Sequence, residues 1–289
     1  MNIYGRPVGD EHSPYLLAEI SGEHRGDVNR LMALVDAAVD GGADGIKLQA
    51  FDPERLAKAR GGIDYVVVDG PWAGKTLGEI YRATHTSREL IEAVFERLRR
   101  SNVAVVVSAF SVEDVDYLEG IGCHCIKVAS FEATNGPLLR RAGLPSTPVI
   151  LSTGMASVTE ICLALDEIRH HDDAKEVAIL HCVSAYPCPP EQADLRRISK
   201  LRRIFNCSPI GFSDHTLGPE CAIAAVALGA SIIEKHITLD RNDGGLDASF
   251  SMEPAEFKAM VSAIRNVHAA LQPPKGDGEA IYRELRSGT

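Results

Sequence analysis

Short apolar runs alternate with helical patterns through most of this chain. The runs cover residues 15–20, 45–49, 103–108, 125–130, 148–152, 177–182, 210–213 and 232–236. They are too short for helices and are bounded by glycine, proline and polar residues, so they read as strands. Between them the apolar positions recur at helical spacing. The first helix spans 28–39, with Leu31, Leu34, Val35 and Ala38 on one stripe and Gly41-Gly42 ending it. Further helices are predicted over 87–100, 112–118, 137–142, 158–169, 194–203, from Pro219 onward, and over 254–271. Pro219 suits a first turn. Residues 51–78 read as a long irregular excursion, with Gly61-Gly62, Gly70-Pro71 and Gly74. Excursions of that length in a compact domain are usually functional.

Strands that alternate with helices give a parallel sheet. Eight such units in one chain of this length predict an α/β fold, a closed (β/α)8 TIM barrel over residues 1–272, followed by a linker-like tail at 273–289. The alternative is an open doubly wound sheet, but no glycine-rich fingerprint follows the first strand.

The 289 residues, 45% of them hydrophobic, supply a full core. The formal charge of −10, without basic runs, argues against nucleic acid or an anionic membrane as partner. Any anionic substrate must therefore be held by a few local cations. Met1 to Arg6 contain no apolar signal core, and no apolar stretch is long enough to span a bilayer. The seven cysteines are odd in number and lack a Cys-x-x-Cys pair, as expected of a reduced, cytoplasmic chain.

Candidate chemistry gathers where the runs end. In a barrel of this kind the site lies at the C-terminal ends of the strands. Those ends carry Glu19, Lys47, Gln49, Ser108, Lys127, Ser130, Ser152, His181, Ser213, His215, Glu234 and His236. Side chains alternate faces along a strand, so Lys47 and Gln49 share a face, as do Ser213 and His215, and Glu234 and His236. If the last two strands are neighbours, both histidines emerge at the same end. Two imidazoles with carboxylates nearby suit a divalent metal with open positions. Lys47 and Lys127 with Ser130, Ser152 and Ser213 suit a phosphate or carboxylate. Ordinary strand-end hydrogen bonding is the bland reading of each residue alone. It explains the whole set poorly, because a charge within a buried strand is costly unless paired.

The same stretches resemble the sialic acid synthase family from about Ala18 to Leu271. The matching pieces are Ala18-Glu19-Ile20-Ser21, Lys47-Leu48-Gln49, Lys127-Val128-Ala129-Ser130-Phe131-Glu132, Leu151-Ser152-Thr153-Gly154-Met155, Tyr186-Pro187, Gly211-Phe212-Ser213-Asp214-His215-Thr216 and Glu234-Lys235-His236. Within that family, the stretch from Trp72 to Leu77, Ser184-Ala185-Tyr186-Pro187 and Asp247-Ala248-Ser249-Phe250-Ser251 look most like pseudaminic acid synthases. The resemblance implies condensation of phosphoenolpyruvate with an open-chain N-acylated amino-sugar aldehyde, giving a nine-carbon 2-keto acid and phosphate. It implies a divalent metal, Mn²⁺ before Mg²⁺ or Co²⁺, on His215 and His236. It assigns Lys47, Gln49, Lys127, Ser130, Ser152 and Ser213 to phosphoenolpyruvate, and Tyr186 and Asp247 to the sugar. Glu19 and Glu234 become the candidate catalytic carboxylates, and a homodimer is expected.

Three departures stand out. The family's usual Asn-His pair after the first strand is Glu23-His24 here. A phosphoenolpyruvate-binding threonine aligns with Ala109, with Ser108 adjacent. The family's C-terminal antifreeze-like domain, which brings an arginine to the partner's site, does not follow the linker-like stretch 281–287. The barrel is expected to fold alone with a more open mouth. Other readings are an N-acetylneuraminate or legionaminate synthase, a Schiff-base aldolase using Lys127 or Lys47, and a non-catalytic sugar-binding barrel.

Overall fold

A computed structural model describes residues 1–274, 276–279, 282, 283 and 286. Part of the linker-like stretch 281–287, and so part of the tail, lies outside the described residues. A small antiparallel hairpin, β1 (Asn2–Ile3) and β2 (Arg6–Pro7), precedes the barrel. The barrel strands are β3 (Tyr15–Glu19), β4 (Gly45–Ala50), β5 (Ala104–Ala109), β6 (Cys125–Val128), β7 (Val149–Ser152), β8 (Val177–His181), β9 (Ile210–Asp214) and β10 (Ile232–His236). Each pairs in parallel with the next, and β10 pairs with β3 to close the ring. The expected TIM barrel is the observed fold.

The helices are α1 (Val28–Asp40), α2 (Pro53–Ala59), α3 (Leu77–Thr84), α4 (Arg88–Leu98), α5 (Val112–Gly120), α6 (Gly136–Gly143), α7 (Val158–Ile168), α8 (Arg196–Ile204), α9 (Glu220–Ala227) and α10 (Pro254–Leu271). Most begin at a side chain that accepts one of the orphan backbone N–H groups of the first turn: Asp27, Asp52, Thr76, Ser87, Ser111, Asn135 and Ser157. The excursion at 51–78 is less irregular than its glycines suggest. Asp52 caps α2 with Pro53 in its first turn, and Thr76 and Glu79 form a capping box that starts α3. These helices are too short for periodicity to reveal, and the irregular part shrinks to residues 60–76.

Strand parity separates two cores. Outward-facing residues such as Ile46, Val105, Val107, Ile126, Ile179 and Ile233 pack beneath the helices. Inward-facing Tyr15, Leu17, Val106, Cys125, Ile150, Ala178, Leu180 and Ile232 fill the lower barrel, with Ile3 and Val8 of the hairpin region beneath them. One step further along the same inward parity stand Glu19, Lys47, Gln49, Ser108, Lys127, Ser152, Ser213, Glu234 and His236. The barrel is thus apolar at its lower end and polar at the other.

The strand ends correct two sequence readings, His181 and Ser130, and parity adds to that at Ala109. Ala109 belongs to the outer core, so the inward donor on β5 is Ser108 itself. His181 points outward, with Nε2 2.8 Å from the Ala193 carbonyl and its ring tilted against Phe212, away from the mouth. Ser130 lies past the end of β6 in a 3-10 turn, so the turn and not strand alternation aims it.

On the outer face Lys235 is fully buried and donates to Asp214 Oδ2 at 2.8 Å and to the Thr216 carbonyl. Removing one partner of such a pair strands the other charge. Asp214→Ala should therefore cost about 3–5 kcal/mol in urea unfolding. A loss below about 1 kcal/mol would mean that Lys235 finds water or other partners.

Candidate functional site

The polar end of the barrel opens into a cavity of about 850 Å³. Its lining includes Lys47, Gln49, Lys127, Ser130, Ser152, Tyr186, Ser213, His215, Glu234, His236 and Asp247. Glu19 sits beneath it, fully buried. The structure therefore gathers the residues singled out from the sequence, His181 excepted, around one space. A second cavity, of about 760 Å³, lies beside the N-terminus and Arg202, and none of these residues lines it.

The floor is a charge cluster. Lys47 Nζ pairs with Glu19 Oε2 and lies 3.3 Å from Glu234 Oε1. Lys127 Nζ donates to Ser152 Oγ at 2.5 Å and lies 3.7 Å from Glu234 Oε2. All four charged groups are almost wholly buried. Burial alone would lower the Lys47 ammonium's pKa, but the charges of Glu19 and Glu234 raise it above the ordinary lysine value. Burial likewise works against Glu234, yet Lys127, Lys47 and the Ser213 hydrogen bond hold its carboxyl well below the usual range. For Lys127 burial wins, and its pKa is lowered. The cluster is formally neutral, so an incoming anion meets two cations already engaged with carboxylates.

Hydroxyls surround this floor. Ser213 Oγ donates to Glu234 Oε1 at 2.8 Å and lies 3.3 Å from His215 Nε2. Ser130 Oγ accepts the Gly154 N–H at 3.0 Å and keeps its own proton, with Cys182 Sγ as neighbour at 3.0 Å. A Cβ on Gly154 would stand 2.7 Å from Ser184 Oγ and 3.0 Å from both Cys182 Sγ and Ser130 Oγ. An added Cβ would therefore push these side-chain ends away from the turn.

Above the floor, His215 and His236 face each other with ring centroids 5.8 Å apart. His215 Nδ1 lies 2.7 Å from the Val183 carbonyl, which fixes the proton on Nδ1 and leaves Nε2 a lone pair. His236 Nδ1 is buried and has no hydrogen-bond partner among the described residues. Burial is the first cause that depresses both imidazoles, His215 to about 4, with His236 adding to it, and His236 to about 3, with Lys47 adding to it. Both are neutral near pH 7, as metal ligands must be. Among the described residues no group of three or more His, Cys, Asp or Glu side chains could hold a metal. The donor set fits an ion that takes two imidazoles and fills its remaining positions with water or substrate.

Aromatic rings form the rim. Tyr186 lies 4.1 Å from the His215 ring and 5.5 Å from Phe250, ring to ring. Trp72, from the 60–76 loop, reaches Tyr186 at 5.6 Å and donates its indole N–H to the Leu246 carbonyl at 3.2 Å. Sequence pattern gave no geometric reason to place Trp72 here, since a loop has no periodicity. Ser21 was missed as well. It follows β3 at a positive φ of 49°, and its Oγ donates to Asp247 Oδ2 at 2.5 Å. His24 turns away, with Nε2 near Thr86 Oγ1 and Nδ1 accepting the Gly26 N–H.

A model described as the NeuB family matches residues 34–275. The pseudaminic acid synthase of Campylobacter jejuni is 34% identical over 265 residues, 92% of this chain and 76% of that protein. The N,N'-diacetyllegionaminic acid synthase of the same species is 33% identical over 270 residues, 91% of this chain and 78% of that protein. Among solved structures, the N-acetylneuraminic acid synthetase of Leptospira borgpetersenii, in complex with citrate, superposes with a TM-score of 0.86. It shares 30% identity, over 100% of this chain and 95% of that one. All seven cysteines are free, and among the described residues no helix is long and apolar enough to cross a membrane.

The two buried imidazoles make the fold sensitive to acid. Their folded pKa values lie below the unfolded value of about 6.5, so below that pH the unfolded chain binds more protons. Stability should fall as pH drops from about 6.5 toward about 4 for His215 and about 3 for His236. Urea unfolding of chelator-treated protein across that window measures it. The double variant His215→Asn/His236→Asn should lose part of the slope, and an unchanged slope would count against burial of neutral rings.

Proposed function

The chain belongs to the NeuB family, and on that premise we propose that it condenses phosphoenolpyruvate with the open-chain aldehyde of an N-acylated amino sugar. The products are phosphate and a nine-carbon 2-keto acid of the pseudaminic type. The observation that carries this reading is the stacking within one cavity of a lysine-and-hydroxyl floor, a two-imidazole middle and an aromatic rim. A phosphorylated three-carbon acid suits the floor, and an aldehyde above it lies within reach of the imidazoles. The pseudaminic acid synthase relative supports the sugar class. The legionaminic acid synthase relative, at nearly the same identity, keeps that sugar as the second reading.

The reaction joins C3 of phosphoenolpyruvate to the aldehyde carbon, and the carbonyl oxygen gains a proton. Water adds to the oxocarbenium-like C2 and gives up a proton, and the C2–O bond to phosphate then breaks. His215 and His236 would hold a divalent ion, Mn²⁺ before Mg²⁺ or Co²⁺, which when bound would supply a Lewis acid for the aldehyde oxygen. Lys47 and Lys127 hold phosphate and carboxylate, with Gln49, Ser108, Ser130 and Ser152 completing the polar wall. Glu234 is a weak base while both lysines face it. A bound phosphate draws on the same two cations, so the Glu234 carboxylate becomes more basic as the substrate arrives. It then takes the proton from the attacking water. Glu19, bonded by the Ser21 N–H and Gln49, holds Lys47 in register from below. Trp72 and Tyr186 keep bulk water from the bond being formed.

Product identification by mass spectrometry, with phosphoenolpyruvate, Mn²⁺ and a panel of N-acylated amino sugars, tests the reading. Phosphate release matched by a new nine-carbon acid is expected, and no product from any sugar would overturn it. His215→Ala or His236→Ala should lose Mn²⁺ binding, followed by electron paramagnetic resonance, together with turnover. Full activity after exhaustive chelation would remove the metal. Lys47→Ala and Lys127→Ala should each weaken phosphoenolpyruvate roughly 10- to 100-fold, as for loss of a charge-assisted contact of ~1.5–3 kcal/mol. Unchanged affinity in both would displace the anion from the floor.

A further inference from the structure

Behind Asp247 lies a second carboxyl group with no part in the chemistry above. Glu23 is fully buried just past β3. Its Oε2 accepts the Thr238 hydroxyl at 2.7 Å, its Oε1 accepts the Asp247 N–H at 3.1 Å, and the Arg30 guanidinium lies 3.9 Å from Oε2. The loop that carries Asp247 is shaped around this group. A Cβ on Gly245 would come within 2.6 Å of the Glu23 carboxyl carbon, so any side chain there would displace that group. Asp247 is poorly supplied by comparison. Its Oδ2 accepts from Ser21 Oγ, and its buried Oδ1 has no hydrogen-bond partner among the described residues.

Hydrogen-bond direction then favours one place for a proton. Gln49 Nε2 donates to Ser21 Oγ at 3.2 Å, and the Ser21 proton is directed at Asp247 Oδ2. Oδ1, the oxygen without a partner, is then the better place for a proton on Asp247. Two hydrogen-bond donors and the nearby Arg30 charge favour negative charge on Glu23, while one donor favours it on Asp247, and two buried carboxyls this close do not both ionise readily. We propose that Glu23 is a positioning residue that anchors Asp247 at the cavity wall and leaves it bearing the pair's proton, so that Asp247 Oδ1 donates a hydrogen bond to a neutral acceptor oxygen of the amino sugar, its N-acyl carbonyl or a hydroxyl. This deepens the functional reading above and rests on it for the identity of the ligand.

The charges around the pair agree. Burial comes first in pushing Asp247 up to about 7; the Ser21 bond opposes it, Glu23 and Glu19 add to it, and Lys47 opposes it. Burial raises Glu23 as well, with Thr238, the Asp247 N–H and Arg30 pulling it down and Asp243 pushing it up. Tyr186 also faces Asp247, and its own pKa is raised first by burial, so it stays neutral in this range. Below about pH 7 the donor is present; above it Asp247 becomes an acceptor and the contact turns repulsive toward an acceptor oxygen.

The test uses the full chain in two arms. Carboxyl ¹³C NMR of the unliganded protein, with Asp247→Asn to assign the resonance, follows the titration directly. A midpoint near 7 is expected in the parent, moved down by about one pH unit in Glu23→Gln, where no second carboxyl remains. Thr238→Val, which removes a donor from Glu23 and draws the proton toward it, should move the midpoint the same way and serves if Glu23→Gln does not fold. In the kinetic arm the sugar KM should rise above about pH 7, the rise should shift with the NMR midpoint, and the KM for phosphoenolpyruvate should not follow it. In Asp247→Asn the sugar KM should become flat with pH. An Asp247 midpoint near 4, or one that neither variant moves, overturns the proposal, as does a sugar KM that rises equally at every pH. If no amino sugar turns over, the functional reading fails, while the NMR arm still decides whether the proton resides on Asp247.

Discussion

Two lysines and two carboxylates inside a barrel constrain everything above them. Lys47, Lys127, Glu19 and Glu234 are held where water is scarce, and each is tolerable only because the others are present. Their arrangement follows from the parallel register. Glu19 is opposite Lys47 on neighbouring strands, Ser213 is opposite Glu234, and Ser108 is opposite Lys127. Because neighbouring strands put the same parity inward at nearly the same height, the charges form a layer and not a scatter. A layer of this kind cannot be filled with apolar side chains, and the space above it remains open as the cavity.

That layer was readable in the sequence because its grammar is simple. An apolar run that ends in a polar or charged side chain, eight times over, has few other meanings, and alternation alone named Lys47 with Gln49 and Glu234 with His236. What escaped was whatever breaks the alternation. Counting from run ends put His181 at the mouth, but a one-residue difference in where a strand is counted reverses the face. Ser130 and Ser21 lie in turns, where period two no longer applies. The hairpin Asn2–Ile3 with Arg6–Pro7 and the helix Pro53–Ala59 are too short to show a period at all.

The cavity divides by chemistry from bottom to top. The floor is rigid, since strands carry it and its ions lock one another. The rim comes from loops, and those loops are tied together. Trp72 of residues 60–76 holds the Leu246 carbonyl, one residue before Asp247, and leans on Tyr186, which in turn covers His215. The upper part of the cavity, where the proposal places the sugar, is thus built from loops, while the floor, where it places the anion, is built into the sheet.

The fit between Glu23 and Gly245 reaches beyond this one chain. The carboxyl group occupies the volume that any side chain at 245 would need, and it also bonds the backbone two residues further on. A shorter residue at 23 would free that volume and release the Asp247 N–H at once. The two positions are therefore not independent in descent. With glutamate at 23, a side chain at 245 has to displace a buried carboxyl together with its hydrogen bonds, and a shorter residue at 23 removes that obstacle. Over evolutionary time the pair should change together or not at all, across a separation in sequence that spans nearly the whole barrel.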